Sequence, residues 1–349
     1  MTIIGIAWGK DAIDMVRVGV SLAVSVIPEG LVAVVTVTMA LAVSRMAKQN
    51  AIVRNLPSVE TLGSVTVICS DKTGTLTEGK MTVRKLHLCD EFKFEFSGSL
   101  SDPLNGKITL STDSSLSISE IASFKLACMI VSMCNHSSVT KIDGKWKFIG
   151  DTTDLALLVA SNHSGFNKEY WQSFLLQNII YEIAFDSDRK LMTVVFDLKE
   201  KLLVLTKGAP ENLVAKCSKH LSKQGESHNF GIGDISYSAI DDHFLTELTR
   251  ENEALAIQGL RVLGLAYKIM EKIDAMEQSN SEIESNLTFV GLVGIIDPPR
   301  ATVKSSIADC QKAGIKVCMI TGDHIQTATA ISTALGIFDP TDPLKVFCE

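Results

Sequence analysis

From Val18 to Val43 the chain runs for 26 residues with Glu29 as its only charge. A helix needs roughly 20 consecutive apolar residues to cross a bilayer core, so this run predicts a membrane span over about 18–43 within a membrane segment 1–46. Arg45, Lys48 and Arg54 follow it, which places its C-terminal end on the cytoplasmic side. The alternative is a buried core helix of a soluble protein. A signal peptide fits worse, because the run is too long for an apolar h-region, contains Pro28 and Glu29, and is not followed by a small-residue cleavage site. Pro28 and Gly30 are expected to interrupt the helix and free the carbonyls of Val24, Ser25 and Ile27. Those carbonyls and the Glu29 carboxylate form a candidate ligand set for a hard cation at membrane depth. The structural alternative is a kinked helix with Glu29 paired to a neighbour.

The 349 residues leave room for two or three domains beyond the span. A formal charge of −7, with no basic run and no RNA-binding aromatic motif, gives no sign of a nucleic-acid partner. Cysteines stand at Cys69, Cys89, Cys128, Cys134, Cys217, Cys310, Cys318 and Cys348. None forms a CxxC pair or zinc spacing, so they read as reduced, mostly buried thiols of a cytosol-facing body.

Residues 1–15 read as the tail of a preceding hydrophobic segment plus a loop, and the basic stretch after the span reads as a helical connector through about Glu60. SVTVICSD, between Gly63 and Asp71, is a continuous apolar run and predicts a buried parallel strand. Between about 85 and 290, strand-like stretches (WKFIG, LMTVVFDL, KLLVLTKG) alternate with polar segments (SLSDPLNGKITLSTDSS, SKQGESHNFGIGD, EKIDAMEQSNSEIESN) that read as surface loops. Helices are predicted over Ser119–Met133, Thr153–Ala160, Phe244–Gln258 and Ala301–Ala313, the last opened by Asp297 as N-cap with Pro298 in its first turn and closed by Gly314. IKVCMITGD then predicts a second buried strand and IQTATAISTALG a helix. Two α/β pieces, about 61–84 and 292–349, thus flank an insert of roughly 200 residues, the pattern of a doubly wound domain interrupted by a second one.

Asp71 closes the first of those strands and opens DKTGTLT. Ligands of open α/β sheets gather at the carboxyl ends of strands, and a carboxylate there can attack phosphorus to form an aspartyl phosphate. Lys72 supplies positive charge beside it, and the turn Thr73-Gly74-Thr75 can aim N–H groups at a phosphate. Thr321-Gly322-Asp323 closes the second strand and offers a hydroxyl to the same point; alone it would read as a helix N-cap. Gly74 to Lys80 has Walker-loop spacing, but Met81 stands where a magnesium-holding Ser or Thr belongs, so that reading is rejected.

CSDKTGTLT resembles the phosphorylation signature of P-type ATPases. IPEGL inside a membrane span is similar to the fourth transmembrane helix of their type II members, and QNAIVR, LPSVETLG, KGAPE, DPPR and MITGD follow in the family's order. The resemblance covers nearly the whole chain. It implies an α/β chain: a membrane-spanning helix, then a haloacid-dehalogenase-like doubly wound parallel sheet domain, interrupted by a mixed α/β nucleotide-binding insert. The boundaries it implies are a stalk and first part of the phosphorylation domain over 47–84, the insert over 85–291 and the second part over 292–349. The implied activity is ATP-driven cation transport through phosphorylation of Asp71, with Lys72, Thr73, Thr321, Gly322 and Asp323 around the phosphoryl group and Asp71 and Thr73 holding Mg2+. The implied nucleotide pocket takes Phe185 as adenine-stacking ring, Asp154 near the adenine amino group, and Lys190, Lys207 and Arg261 as its cations. Gly208, Asp297 and Arg300 complete the nucleotide-contacting set. Val24, Ser25, Ile27 and Glu29 are the implied ligands of the transported cation.

Two departures bear on these implications. Ser187 stands where calcium pumps carry an arginine two residues after the stacking ring, and Val32 follows PEGL where they commonly have proline. Calcium is therefore favoured as cargo, with sodium or another cation open. The family's GDGxND loop does not occur in the sequence, so the chain reads either as the central fragment of a longer pump polypeptide or as a truncated gene product, incomplete for turnover alone. Its implied partners are ATP, the cation, the bilayer and the rest of that polypeptide; its implied place is an unspecified membrane, with most of the chain cytoplasmic. Two rival classes stay open: a non-catalytic nucleotide-binding module, and a soluble phosphatase of the haloacid-dehalogenase type. The latter usually carries a second acid two residues after the nucleophile, where this chain has Thr73.

Overall fold

A computed structural model describes the chain apart from residues 1, 27, 99–101, 113–115, 176–178, 199–200, 230–233, 273–278, 323–324 and 340–349. The chain divides into two compact units, residues 1–68 with 314–316, and residues 69–313 with 317–349.

The first unit is helical: α1 (Thr2–Ala7), α2 (Ala12–Val26), α3 (Glu29–Lys48) and α4 (Pro57–Gly63). Residues 2–15, expected as the tail of a hydrophobic segment plus a loop, form α1 and the start of α2, parted by a turn at Gly9, whose left-handed φ of 80° glycine adopts without strain. From Ala12 to Lys48 the chain is long and apolar enough to cross a membrane, with mean hydropathy 2.1 and no burial in its most apolar stretch. The alternative of a soluble core helix therefore finds no support within this chain. The run is broken where expected. Pro28 has no N–H to donate and restricts the residue before it; it caps α3 at φ −73° and ψ 76°, and its carbonyl accepts the Leu31 N–H at 2.8 Å. Thr36 and Thr38 settle their hydroxyls on the carbonyls of Val32 and Val34, both at 2.8 Å, so neither is an unpaired polar group on the apolar helix. The helical connector expected to reach Glu60 stops short. Asn50 takes a left-handed φ of 63° beyond Lys48, and a new helix starts at Pro57.

β1 (Val67–Asp71) is followed by β2 (Thr82–Leu88), β3 (Lys93–Ser97), β4 (Lys107–Leu110), α5 (Ala122–Met133), the hairpin β5 (Ser138–Ile142) and β6 (Lys145–Ile149), α6 (Thr152–Ser164) and α7 (Lys168–Phe174). Then come β7 (Ile179–Asp186), β8 (Leu191–Asp197), β9 (Lys201–Gly208), α8 (Pro210–Val214), β10 (Cys217–Asn229), β11 (Asp234–Ala239), α9 (Asp242–Ile257) and β12 (Arg261–Glu271). The last described elements are α10 (Asn280–Ile283), β13 (Leu287–Ile296), α11 (Val303–Lys312), β14 (Lys316–Ile320) and α12 (Ile325–Leu335).

Among the described residues, ten strands form one sheet in the order β4-β3-β2-β13-β12-β9-β8-β7, with β10 beside β13 and β11 beside β10. All its pairings are antiparallel except β10 with β13. Successive strand residues point to opposite faces, and here both faces are covered. Val194, Phe196, Leu203 and Leu205 join one core with Phe124 and Met129 of α5 and Ala156 and Leu157 of α6. Val195, Leu202 and Val204 join a second core with Leu213 of α8 and Leu255 of α9. Two segments expected as loops supply strands to this sheet. KITL becomes β4 because Ile108 and Leu110 fall opposite Phe96 and Phe94, and most of SKQGESHN lies in β10, paired with β11.

β1 and β14 form a separate two-stranded sheet. Val317 and Met319 of β14 pack on a core of Leu76, Ile307 of α11 and Ile331 and Leu335 of α12. β1, expected to be buried, is not: Val67 is 46% and Ile68 36% exposed. Burying such a strand on both edges takes two neighbours, and β14 is the one it has among the described residues. The helix expected from Asp297 begins later, at Val303, after Thr302 at its N-cap, because Asp297 is committed elsewhere. The seven described cysteines are free, but only Cys128 and Cys134 are buried, fewer than expected; Cys69 is exposed and Cys348 lies outside the described residues.

Candidate phosphorylation and nucleotide sites

The Lys316 N–H donates to the Thr66 carbonyl at 2.8 Å. That bond joins the starts of two five-residue strands, so β1 and β14 run in the same direction and end at the same edge. Asp71 and Thr321 both sit at that edge. Asp71 is exposed, while the Lys72 side chain is buried at 5%. The chain then coils through Gly74, at a φ of 73°. Thr77, fully buried, is the hub of this loop: its Oγ accepts the Gly74 N–H at 3.2 Å and donates to Asp297 Oδ2 at 2.6 Å. One hydroxyl carries one proton, so the Lys72 carbonyl, 3.0 Å from the same Oγ, does not receive it; that carbonyl accepts the Thr77 N–H instead, also at 3.0 Å.

Asp297 and Arg300, expected among the nucleotide contacts, direct their polar groups at this loop. Asp297 Oδ1 accepts the Lys80 N–H at 3.1 Å. The Arg300 guanidinium donates to the carbonyls of Gly74 at 2.8 Å and Thr75 at 3.2 Å. Backbone bonds from Glu78 N–H to the Pro298 carbonyl and from Arg300 N–H to the Leu76 carbonyl, both at 3.0 Å, zip the two segments together. Gly322 is exposed and Asp323 lies outside the described residues. Among the described residues no group of three or more His, Cys, Asp or Glu forms a metal cluster.

In the large sheet, the expected nucleotide residues fall on facing elements. Asp151 caps α6 by accepting the Thr153 N–H at 2.8 Å, which puts Asp154 in its first turn. Lys207, near the end of β9, pairs with Asp154 at 2.5 Å; their side chains are 7% and 17% exposed. Arg261, the first residue of β12, donates to Thr153 Oγ at 3.4 Å. Phe185, near the end of β7, is 59% exposed although it stands on a strand of the main sheet. Lys190 takes a left-handed φ of 56° in the β7–β8 turn, and its carbonyl accepts the Ala209 N–H at 3.1 Å. A Cβ on Gly208 would lie 2.2 Å from that carbonyl, so only glycine lets the turn close on β9.

Several neighbours carry no signal in the sequence, because only the folded sheet gathers them. Asn135 donates to the Asp154 carbonyl at 2.7 Å and accepts from Lys168 Nζ, through its own carbonyl, at 2.8 Å. Burial pushes the Lys168 ammonium below its ordinary range, against the pull of Asp154. His136 meets Glu182 of β7 at 2.5 Å. The Cys134 thiol, beside Lys207 and Asp154, is pushed up to about 12 by burial and is an inert packing group. An exposed aromatic face, a carboxylate still open to water and several cations suit an adenine nucleotide.

On the transport side, Val24 is half exposed and the Ser25 hydroxyl is directed to the Leu22 carbonyl at 2.9 Å. Glu29 begins α3, and Ile27 lies outside the described residues.

The exposed Phe185, the Asp154–Lys207 pair and Arg261 lie on a large α/β sheet, and the loop after Asp71 is tied to the DPPR segment. The family model of the P-type ATPase cytoplasmic domain N matches residues 123–302. The chain is 41% identical to a calcium-transporting ATPase of Bacillus subtilis over 95% of its own length and 35% of that relative's. It is 39% identical to calcium-transporting ATPase 1 of Bacillus cereus over 100% of the chain and 35% of the relative. It is 37% identical to an endoplasmic reticulum-type calcium-transporting ATPase 4 of Arabidopsis thaliana over 94% and 33%. The chain therefore belongs to the P-type cation-transporting ATPases, in their type II branch. It spans about a third of the length of these relatives.

Proposed function

We propose that this chain is the phosphorylated and nucleotide-binding part of an ATP-driven cation pump, with Asp71 as the group that accepts phosphate. The observation that carries this reading is the shared strand edge: Asp71 is exposed at the end of β1, β14 leads to Thr321, and the loop after Asp71 is tied down through Thr77, Asp297 and Arg300. An Asp71 carboxylate oxygen attacks the γ-phosphorus of ATP. The bond to the β–γ bridging oxygen breaks, and ADP leaves with that electron pair. Lys72, the Thr73–Thr75 turn and Thr321 orient the transferred group; Gly322 and Asp323 belong to the same site. Mg2+, held by Asp71 and Thr73 with the phosphates, would neutralise charge there.

Residues 47–84 and 292–349 serve as the two parts of a haloacid-dehalogenase-like phosphorylation domain and 85–291 as the nucleotide-binding insert. Phe185 stacks the adenine, Asp154 accepts from its amino group, and Lys190, Lys207 and Arg261 balance the phosphates. The apolar segment, 18–43 within 1–46, lies in a bilayer. There Glu29, with carbonyls of Val24, Ser25 and Ile27, binds the cargo cation. Calcium is favoured, since the named relatives are calcium-transporting ATPases. The remaining pump polypeptide supplies the rest of the ion path.

The test is phosphorylation from radiolabelled ATP with Mg2+ in a polypeptide that contains this segment. A hydroxylamine-labile phosphoenzyme is expected, and Asp71→Asn removes it. Hydrolysis of phosphate esters without a trapped intermediate would favour the phosphatase alternative. ATP binding with no label at Asp71 would leave a nucleotide-binding module.

A further inference from the structure

We propose that Arg189 and Glu284 form a positioning pair that sets the ring of Phe185 for stacking on the adenine. The proposal rests on the nucleotide-site reading above. Glu284 is 2% exposed and lies between α10 and β13, far in sequence from the β7–β8 turn. It receives Arg189 Nη1 on both carboxylate oxygens, at 2.5 and 2.7 Å. It also receives the Thr193 hydroxyl at 2.7 Å, which in turn meets Thr206 of β9 at 3.0 Å. The other arm of the guanidinium, Nη2, donates to the Ala184 carbonyl at 2.6 Å. Ala184 immediately precedes Phe185. A line of hydrogen bonds thus runs from the buried centre of β8 and β9, through Glu284 and Arg189, to the peptide unit that carries the exposed ring.

Glu284 is buried while the Arg189 side chain keeps 31% exposure, and such a pair is a poor way to gain stability, because stripping water from the buried charge offsets much of the attraction. What it supplies here is direction. The planar guanidinium fixes two acceptors at a set angle, which a lysine ammonium does not do. The turn beyond is closed by Asp186, whose Oδ1 accepts the N–H groups of Asp188 at 2.7 Å and Arg189 at 3.2 Å. Phe185 therefore sits between two fixed points, with its side chain left open to a ligand.

The experiment measures equilibrium binding of ATP and of inorganic tripolyphosphate to the full chain in detergent. It compares wild type, F185A, R189K, E284Q and the doubles F185A/R189K and F185A/E284Q, with thermal midpoints for each. F185A is expected to weaken ATP and spare tripolyphosphate. R189K and E284Q are expected to weaken ATP about tenfold, the scale of losing good base stacking, with tripolyphosphate unchanged and no further loss on the F185A background. If F185A binds ATP like wild type, the nucleotide-site reading fails and the positioning proposal with it. If F185A is weakened but R189K and E284Q are not, the positioning proposal alone is overturned. Equal weakening of both ligands also overturns it, since that marks a pair holding the fold. Should E284Q lower the thermal midpoint, R189K, which keeps the charge, decides.

Discussion

Replacing Asp297 with alanine tests whether the phosphorylation loop is held by the DPPR segment. The substitution removes two acceptors: Oδ2, which takes the buried Thr77 hydroxyl at 2.6 Å, and Oδ1, which takes the Lys80 N–H at 3.1 Å. A hydrogen bond to a charged group contributes about 1.5–3 kcal/mol. Part of that returns, because the freed Thr77 proton can turn to the Lys72 carbonyl, 3.0 Å away, a neutral bond of about 1 kcal/mol. The exposed Lys80 amide can turn to water. The net cost is about 2 kcal/mol, roughly a 30-fold rise in local opening. Native-state amide exchange reads this residue by residue. Protection at Gly74, Thr77 and Lys80 should fall by that factor while amides of β8 and β9 keep theirs. Thr77→Ala should give a similar loss, and the double variant should lose about 1 kcal/mol less than the sum of the singles. Unchanged protection at Lys80, or an equal fall throughout β8 and β9, would refute the reasoning.

Lys207→Met leaves Asp154 without its partner at a site with some water access; a stability loss of about 2 kcal/mol is expected in urea unfolding, together with loss of ATP binding by titration. Acid should loosen α9 from β2 and β3. Burial holds the His87 imidazole below its ordinary 6.5, against its hydrogen bond to Glu251. For Glu251, burial is outweighed by the bonds from Lys93 and His87, and its carboxyl lies below its ordinary 4.5. Both folded values are depressed, so the stabilisation is present above the ordinary values and is lost as pH falls through the folded ones. His87→Gln should flatten the upper part of that acid transition in an unfolding series, and Glu251→Gln the lower. Glu29→Gln, in a pump containing this segment, should abolish cation-dependent phosphorylation from ATP yet leave phosphorylation from inorganic phosphate; retention of both signals would make Glu29 structural.

The elements with strong local signals were legible. LMTVVFDL and KLLVLTKG became β8 and β9, and Pro28 broke the apolar run. Polar strands were not legible, because β10 is defined by its pairing with β11 and β13 rather than by its own composition. The apolar run of β1 does not report its burial, since the apolar character of a strand reports how many neighbours it is built for, and among the described residues β14 is the one it pairs with. In the candidate sites, motif residues could be named from sequence, but their division of labour could not. Nothing in DPPR announces that Asp297 meets Thr77. Nor does a lone Glu284 announce Arg189, since the two meet only once β13 has been laid across the sheet.

The pairing of β2 with β13, in which Leu86 faces Val293, sets a clock on the ribosome. The two strands are about 200 residues apart, and at roughly 5–20 residues per second β2 waits about 10–40 s for its neighbour to be made. Over that interval Val83, Leu86 and Leu88 have neither β13 nor, at first, α5 to cover them. Only the local hairpin of β3 and β4 can form beside them early. The nascent chain thus exposes a sticky edge throughout that interval. Fast translation through α5 to β12 and a bound chaperone should both raise the yield of folded protein, and any message cut short before Ile296 should yield an aggregating product rather than a smaller folded one.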